Sequence, residues 1–77
     1  GKSTGGEEGG WMGYSKTFTN QNIWTIFRSE IADAPDRMLV VQTFDENKQS
    51  ISGLVEQTNE KIEIKFNEVT TGTVVLT

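Results

Sequence analysis

Residues 38–44 read Met-Leu-Val-Val-Gln-Thr-Phe, 51–57 Ile-Ser-Gly-Leu-Val-Glu-Gln, 61–66 Lys-Ile-Glu-Ile-Lys-Phe, and 72–77 Gly-Thr-Val-Val-Leu-Thr. Four runs rich in Val, Ile, Phe and Thr are separated by polar turn-formers at 45–49, 58–61 and 67–71. Short β-prone runs at even spacing with turn chemistry between them are how an antiparallel meander is written. Residues 38–44 are nearly continuously apolar, which predicts a central strand covered on both faces. Gly53 inside the second run predicts a bulge or a close backbone approach. Ile62, Ile64 and Phe66 alternate with Glu63 and Lys65, the pattern of a strand with one wet face.

Upstream, residues 22–28 (Asn-Ile-Trp-Thr-Ile-Phe-Arg) predict another strand, with Ile23, Thr25 and Phe27 facing opposite to Trp24 and Ile26. Apolar residues fall on both faces, so this strand is expected to be sandwiched or covered by a partner subunit. Residues 14–18 form a shorter β run ahead of a polar turn at 19–22. Between 29 and 37, Ser29 is placed to cap one helical turn and Pro35 to stop anything longer, giving a loop with one turn of helix. The sum is an all-β domain over residues 14–77: a small, meander-rich antiparallel β-sandwich or open barrel of five to six strands.

Seventy-seven residues allow one domain. A chain of this size buries roughly 60% of its extended surface on folding, so stability is marginal and oligomerisation would help. The apolar fraction is only 34%, yet two Trp, four Phe and one Tyr supply large buried areas. Residues 1–13 hold six of the eight glycines and read as a flexible linker or N-terminal extension. The opening Gly-Lys-Ser-Thr imitates the end of a phosphate-binding loop. It lacks the upstream glycine, the preceding strand and the following helix that such a loop needs.

The chain has neither Cys nor His. This removes disulfides, Cys/His zinc sites, thiol nucleophiles and Ser-His-Asp triads together. Net charge is −4 and the seven basic residues are scattered, which disfavours nucleic acid as a partner. No apolar run is long enough for a transmembrane helix, and none reads as a signal peptide, so a soluble protein without membrane insertion is expected. Asp45, Asn47, Gln49 and Glu56 mimic a calcium loop in spacing. Ser50 stands where that loop needs glycine and both flanks read as β, so a solvated hairpin loop is expected there. Carboxylate pairs such as Asp33 with Asp36 read as solvated surface charge rather than as glycosidase machinery. No catalytic residue, metal ligand or cofactor is expected. The residues singled out for interface or ligand contact are Trp11, Tyr14 and Trp24, aromatics being enriched in both interfaces and cores. Trp24, in mid-strand, is expected in a core or interface, and Trp11 is the more exposed of the two tryptophans.

In order, the chain shows Trp-Thr-Ile (24–26), a connection with Pro35, Leu-Val-Val-Gln-Thr-Phe-Asp (39–45), Ile-Ser-Gly-Leu-Val (51–55), Lys-Ile-Glu-Ile-Lys-Phe (61–66) and Thr-Gly-Thr-Val-Val-Leu (71–76). This order resembles a small β-sandwich module that recurs in tailed-bacteriophage virion proteins, often at the C-terminal end of tail fibres and related baseplate or neck proteins. The resemblance covers residues 22–76. It departs where the module commonly carries a His after the Trp strand, since this chain has Arg28 there. It implies a non-catalytic structural or attachment role in a virion, an extracellular particle. The partners implied are other virion proteins or further copies of the chain, with trimers common, and a cell-surface glycan or protein receptor. The other reading is a carbohydrate-binding β-sandwich module appended to an enzyme, which requires an exposed aromatic platform built on Trp11 or Trp24.

Overall fold

The computed structural model describes residues 10–77, and these form an all-β, antiparallel fold. Four strands are present among the described residues: β1 (Tyr14–Phe27), β2 (Val41–Asp45), β3 (Leu54–Gln57) and β4 (Lys61–Leu76). The long β4 lies in the centre. β1 pairs along one side of it, from Tyr14 opposite Leu76 to Phe27 opposite Lys61. β2 and β3 share the other side end to end, β2 against residues 72–76 and β3 against residues 62–65. Only the β3–β4 hairpin keeps the strand-to-next-strand pairing of a meander. Of the linker expected over residues 1–13, residues 1–9 lie outside the described residues, as does the Gly-Lys-Ser-Thr opening.

Four strands replace the expected five or six because two predicted breaks are not ends. The polar stretch at 19–22 and the one at 67–71 lie opposite each other, with Gln21 against Thr70. The ribbon runs through both. Two residues on β1, from Gln21 to Ile23, span five on β4, from Thr70 to Lys65. This mismatch makes a bulge, which bends a ribbon and deepens its twist. Asn20 takes a left-handed conformation (φ 52°), one that Asn tolerates better than most side chains.

The bend is sharp. Phe18 and Trp24 are six residues apart on one strand, a separation of about 20 Å if it were straight. Their ring centroids are 5.1 Å apart and nearly parallel. The ribbon therefore folds over on itself, and the core lies inside the fold. β4 supports this with a single parity: Ile62 and Ile64 from one half and Val74 and Leu76 from the other are all fully buried. Trp24, Ile26, Phe18, Ile31 and Leu39 complete the cluster.

Residues 38–44 do not form a central strand covered on both faces. Met38 and Val40 are exposed while Leu39 is buried, so the apolar run hides an ordinary in/out alternation. The ladder starts at Val40, which exchanges two backbone hydrogen bonds with Thr77, both 3.0 Å. The predicted 45–49 loop is a hairpin turn. Asp45 Oδ1 accepts from the Asn47 and Gln49 amides, and Lys48 sits at φ 66°. The carboxylate that imitated a calcium ligand is thus occupied by its own loop. The run at 51–57 pairs with β4 only from Leu54 on, because Ser50 and Ile51 still bond back to Phe44 and Thr43. The Thr58 hydroxyl accepts from Glu60 and Lys61 to shape the β3–β4 turn. The single helical turn appears as a 3-10 turn at Arg28–Glu30, but without Ser29 as its cap: Phe27 holds that position and offers no side-chain acceptor.

Two glycines mark where backbone meets backbone. A Cβ on Gly53 would lie within 3.0 Å of the Ile64 side chain, the Lys65 carbonyl and the Phe66 ring, so the close approach read from sequence is present. A Cβ on Gly72 would collide with the Phe44 carbonyl oxygen of β2. Gly72→Ala should therefore destabilise the domain by about 2 kcal/mol, within the range for forcing atoms into packed space. Urea denaturation would show this as a lowered midpoint, whereas Gly10→Ala, which faces only the flexible Asp33 carboxylate, should leave the midpoint in place.

Candidate functional site

The three aromatics singled out from sequence do not form one surface. Trp24 is fully buried at the bend, stacked on Phe18, tilted against Phe66 at 4.6 Å, and donating its indole N–H to the Gln21 carbonyl at 2.9 Å. It closes the core and offers no face to a ligand. Trp11 is half-buried against the same core, ahead of β1. Tyr14 begins β1 on the inward side, and its hydroxyl donates to Glu30 at 3.0 Å. A sugar-stacking platform built on Trp24 is excluded by this burial.

Tyr14 belongs to a small polar cluster that the sequence did not announce. Lys16, two residues on along the inward side of β1, reaches the same Glu30 oxygen at 2.8 Å. Its ammonium also lies 5.4 Å from the Phe18 ring centroid. Its stem lies along the core and its charged end meets water, which is how a lysine occupies the rim of an apolar interior. Glu30 is brought there by the 3-10 turn, which carries the chain back beneath the start of β1. Lys16 holds the Glu30 carboxyl below the usual carboxylate range, with Tyr14 adding to the effect. Burial and the bond to Glu30 push the Tyr14 phenol up.

A shallow cleft of about 440 Å³ lies at the end of the sheet, lined by residues including Arg28, Arg37, Gln57 and Asn59. Arg28 Nη2 donates to the Pro35 carbonyl at 2.6 Å, and Nη1 to the Arg37 carbonyl at 3.4 Å. The Gln57 amide bonds both backbone groups of Leu39, accepting from its N–H at 2.8 Å and donating to its carbonyl at 3.2 Å. The amide acts as one rung of a ladder for a residue that belongs to no strand. These bonds hold the 31–39 connection in place. Among the described residues, no group of three or more acidic side chains is placed to hold a metal ion.

The surface that remains is the outer face of the half-sheet formed by the end of β1, the start of β4, and β3. Cross-strand partners set its rows: Ile23, Lys65 and Leu54 in one, Thr25, Glu63 and Glu56 in the next, then Phe27 beside Lys61. Ile23, Phe27 and Leu54 are 45%, 51% and 61% exposed. Glu56 and Glu63 stand directly opposite, a repulsive arrangement. Lys65 relieves it by bonding Glu56 at 3.0 Å, and Lys61 by pairing with Glu63 at 3.5 Å. Glu56 in turn raises the Lys65 ammonium above its ordinary value. The face is thus three apolar side chains around a charge-compensated centre. The alternation of Ile23 and Phe27 against Trp24 was readable from the sequence. Leu54 was not, because nothing local places β3 beside β4 at that register.

No protein-family profile, curated protein or solved structure matches this chain.

Two outcomes test these assignments. Gln57→Leu strips the Leu39 backbone of both partners and should cost about 1–3 kcal/mol, the penalty for orphaned polar groups, read as a lowered urea midpoint. For Glu30, a folded pKa below the unfolded one means that its stabilisation is complete above the ordinary carboxylate range and is lost as pH falls through the folded value. For Tyr14 the sign is opposite: its contribution is complete below the usual tyrosine range and is lost as pH rises through the raised value. The cluster is partly exposed, so each effect should be under about 1 kcal/mol. The stability difference between the wild type and Glu30→Gln should shrink from pH 6 to pH 3; an unchanged difference would rule out the Lys16–Glu30 pair as a stabilising contact.

Proposed function

We propose that this domain is a non-catalytic module that acts by protein–protein contact within an assembly, in the manner of the tailed-phage virion components its strand order resembles. The observation that carries this reading is the outer face of β1, β4 and β3. Ile23, Phe27 and Leu54 are held exposed there on a rigid sheet, while the charges among them are paired with one another. Exposed apolar residues gathered on one framework, with local charges neutralised, favour a protein contact over a solvated surface. The turns at 45–49 and 58–61 are braced by their own side chains and would display their tips to a neighbouring virion protein or a host receptor. Mechanism on this reading is shape: the bent ribbon sets the geometry, and neighbours bind to it.

The appended carbohydrate-binding reading is weaker, because it needs an exposed aromatic platform and Trp24 is inside the core.

The assembly reading has a direct test. Virions purified from the source by density-gradient sedimentation should contain this domain's peptides by mass spectrometry, at a fixed ratio to the major tail protein. Recovery of the domain only in the non-sedimenting fraction would overturn the virion assignment. Phe27→Asp should lower its incorporation at least tenfold while leaving its circular dichroism spectrum unchanged.

A further inference from the structure

The folded ribbon has a second outer face, on the half-sheet made by the start of β1, the end of β4, and β2. Thr43, Val74 and Leu76 are buried beneath this half-sheet, so their neighbours along each strand point away from the core. Cross-strand partners set two rows on that side: Gln42, Val75 and Ser15 in one, Phe44, Thr73 and Thr17 in the next. Val40, 55% exposed, extends the β2 column past Gln42. Phe44 and Val75 are partly exposed here and stand outside the core cluster. The hydroxyls of Thr17 and Thr73 satisfy each other at 3.2 Å.

None of these positions carries a charged side chain, although 23% of the chain is charged. The outer face on the other half of the ribbon is built differently, with Glu56, Lys61, Glu63 and Lys65 in its rows. Lys16, on β1, lies on the inward side and is tied to Glu30. Depletion of charge together with an aromatic side chain is the compositional mark of the middle of a protein contact. The charge balance also selects the occupant. The chain carries a net charge of −4, so two copies meet at least electrostatic cost where neither presents a charge.

We infer that this face packs against the same face of a second copy of the chain, sheet on sheet at about 10 Å. Val40, Phe44 and Val75 of the two copies then cover one another, and no charged side chain loses its water, which is the costly part of burying a polar surface. A contact between identical patches closes after two copies. Strands about 4.8 Å apart and a same-face repeat of about 6.8 Å give a footprint of roughly 300 Å² per copy. That falls well below the ~800 Å² per partner of a standard interface, so the dimer belongs in the weak class and forms at high concentration. The contact goes beyond the assembly reading, which uses the face of Ile23, Phe27 and Leu54, and it leaves that face free.

Sedimentation equilibrium on the wild-type chain from 10 to 500 μM should show the average mass rising from 8.6 kDa toward twice that value. An uncharged contact between two anionic copies should tighten at least twofold from 20 to 300 mM NaCl, because salt screens the repulsion around it. A contact through the other outer face, with its Lys and Glu pairs, should weaken instead. Gln42→Glu is nearly isosteric on an exposed side chain and places a carboxylate on each side of the contact. Thr17→Glu does the same one row along. Both should stay monomeric at 500 μM with unchanged circular dichroism. Asn59→Asp adds the same charge in the β3–β4 turn, outside the face, and should still dimerise. Solution mass reports this contact and particle content reports the assembly reading, so either can fail while the other stands. A monomer at 500 μM, an association that weakens with salt, a dimer that survives Gln42→Glu or Thr17→Glu, or one that is lost in Asn59→Asp would each overturn the proposal.

Discussion

The contact on which everything else depends is the stack of Phe18 on Trp24. A chain of this length cannot bury a core with a flat sheet, because one face of every strand would stay in water. The long β1–β4 ribbon solves this by bending until two residues of the same strand, six apart in sequence, touch ring to ring. Such an aromatic pair is worth about 0.5–1.5 kcal/mol beyond its area. Its larger effect is geometric. Trp24 also anchors its indole N–H on Gln21, within the bend itself, so the side chain that fills the inside of the fold also holds the backbone at its corner.

Around that corner the remaining interactions hold the chain where no sheet can. Residues 31–39 run outside the ladder, and polar groups among them are met by side chains reaching from the 3-10 turn and from β3. Arg28 takes the Pro35 and Arg37 carbonyls, and Gln57 takes the Leu39 N–H and carbonyl. Ile31 and Leu39 can then enter the core from a segment with no secondary structure of its own. At the rim, Glu30 joins Tyr14 and Lys16 so that the 3-10 turn is fixed against the start of the strand that precedes it. The exposed apolar side chains Ile23, Phe27 and Leu54 lie on the outer face beside the bend.

Much of the core was legible residue by residue. Ile62, Ile64, Trp24 and Ile26 are buried as the period-2 pattern requires, and Gly53 meets a neighbouring strand as a glycine inside a strand suggests. The turns at 45–49 and 58–61 followed from Asp45 and Thr58, whose side chains shape their own loops. What misled was the polar stretches at 19–22 and 67–71, whose composition is that of turns. Each is opposite the other, so two local breaks become one shared irregular stretch in which the register shifts twice. Nothing in either stretch alone encodes that alignment. Similarly, Met38 and Val40 are as apolar as Leu39, and only the pairing of Val40 with Thr77 decides which of them face water.

The sequence by itself determined that this chain is an all-β domain, which side chains of each strand share a face, and where the turns at 45–49 and 58–61 fall. Those properties depend on neighbours within a few residues, through side-chain alternation and turn hydrogen bonds. Tertiary structure decided that β4 is the centre, that β2 and β3 share one of its sides, and that the ribbon folds over at Trp24. It also decided that Tyr14 meets Glu30 and that Ile23, Phe27 and Leu54 share one exposed face. These depend on registers between segments as far apart as Tyr14 and Leu76, which are fixed by how well the whole set of buried side chains fills one interior.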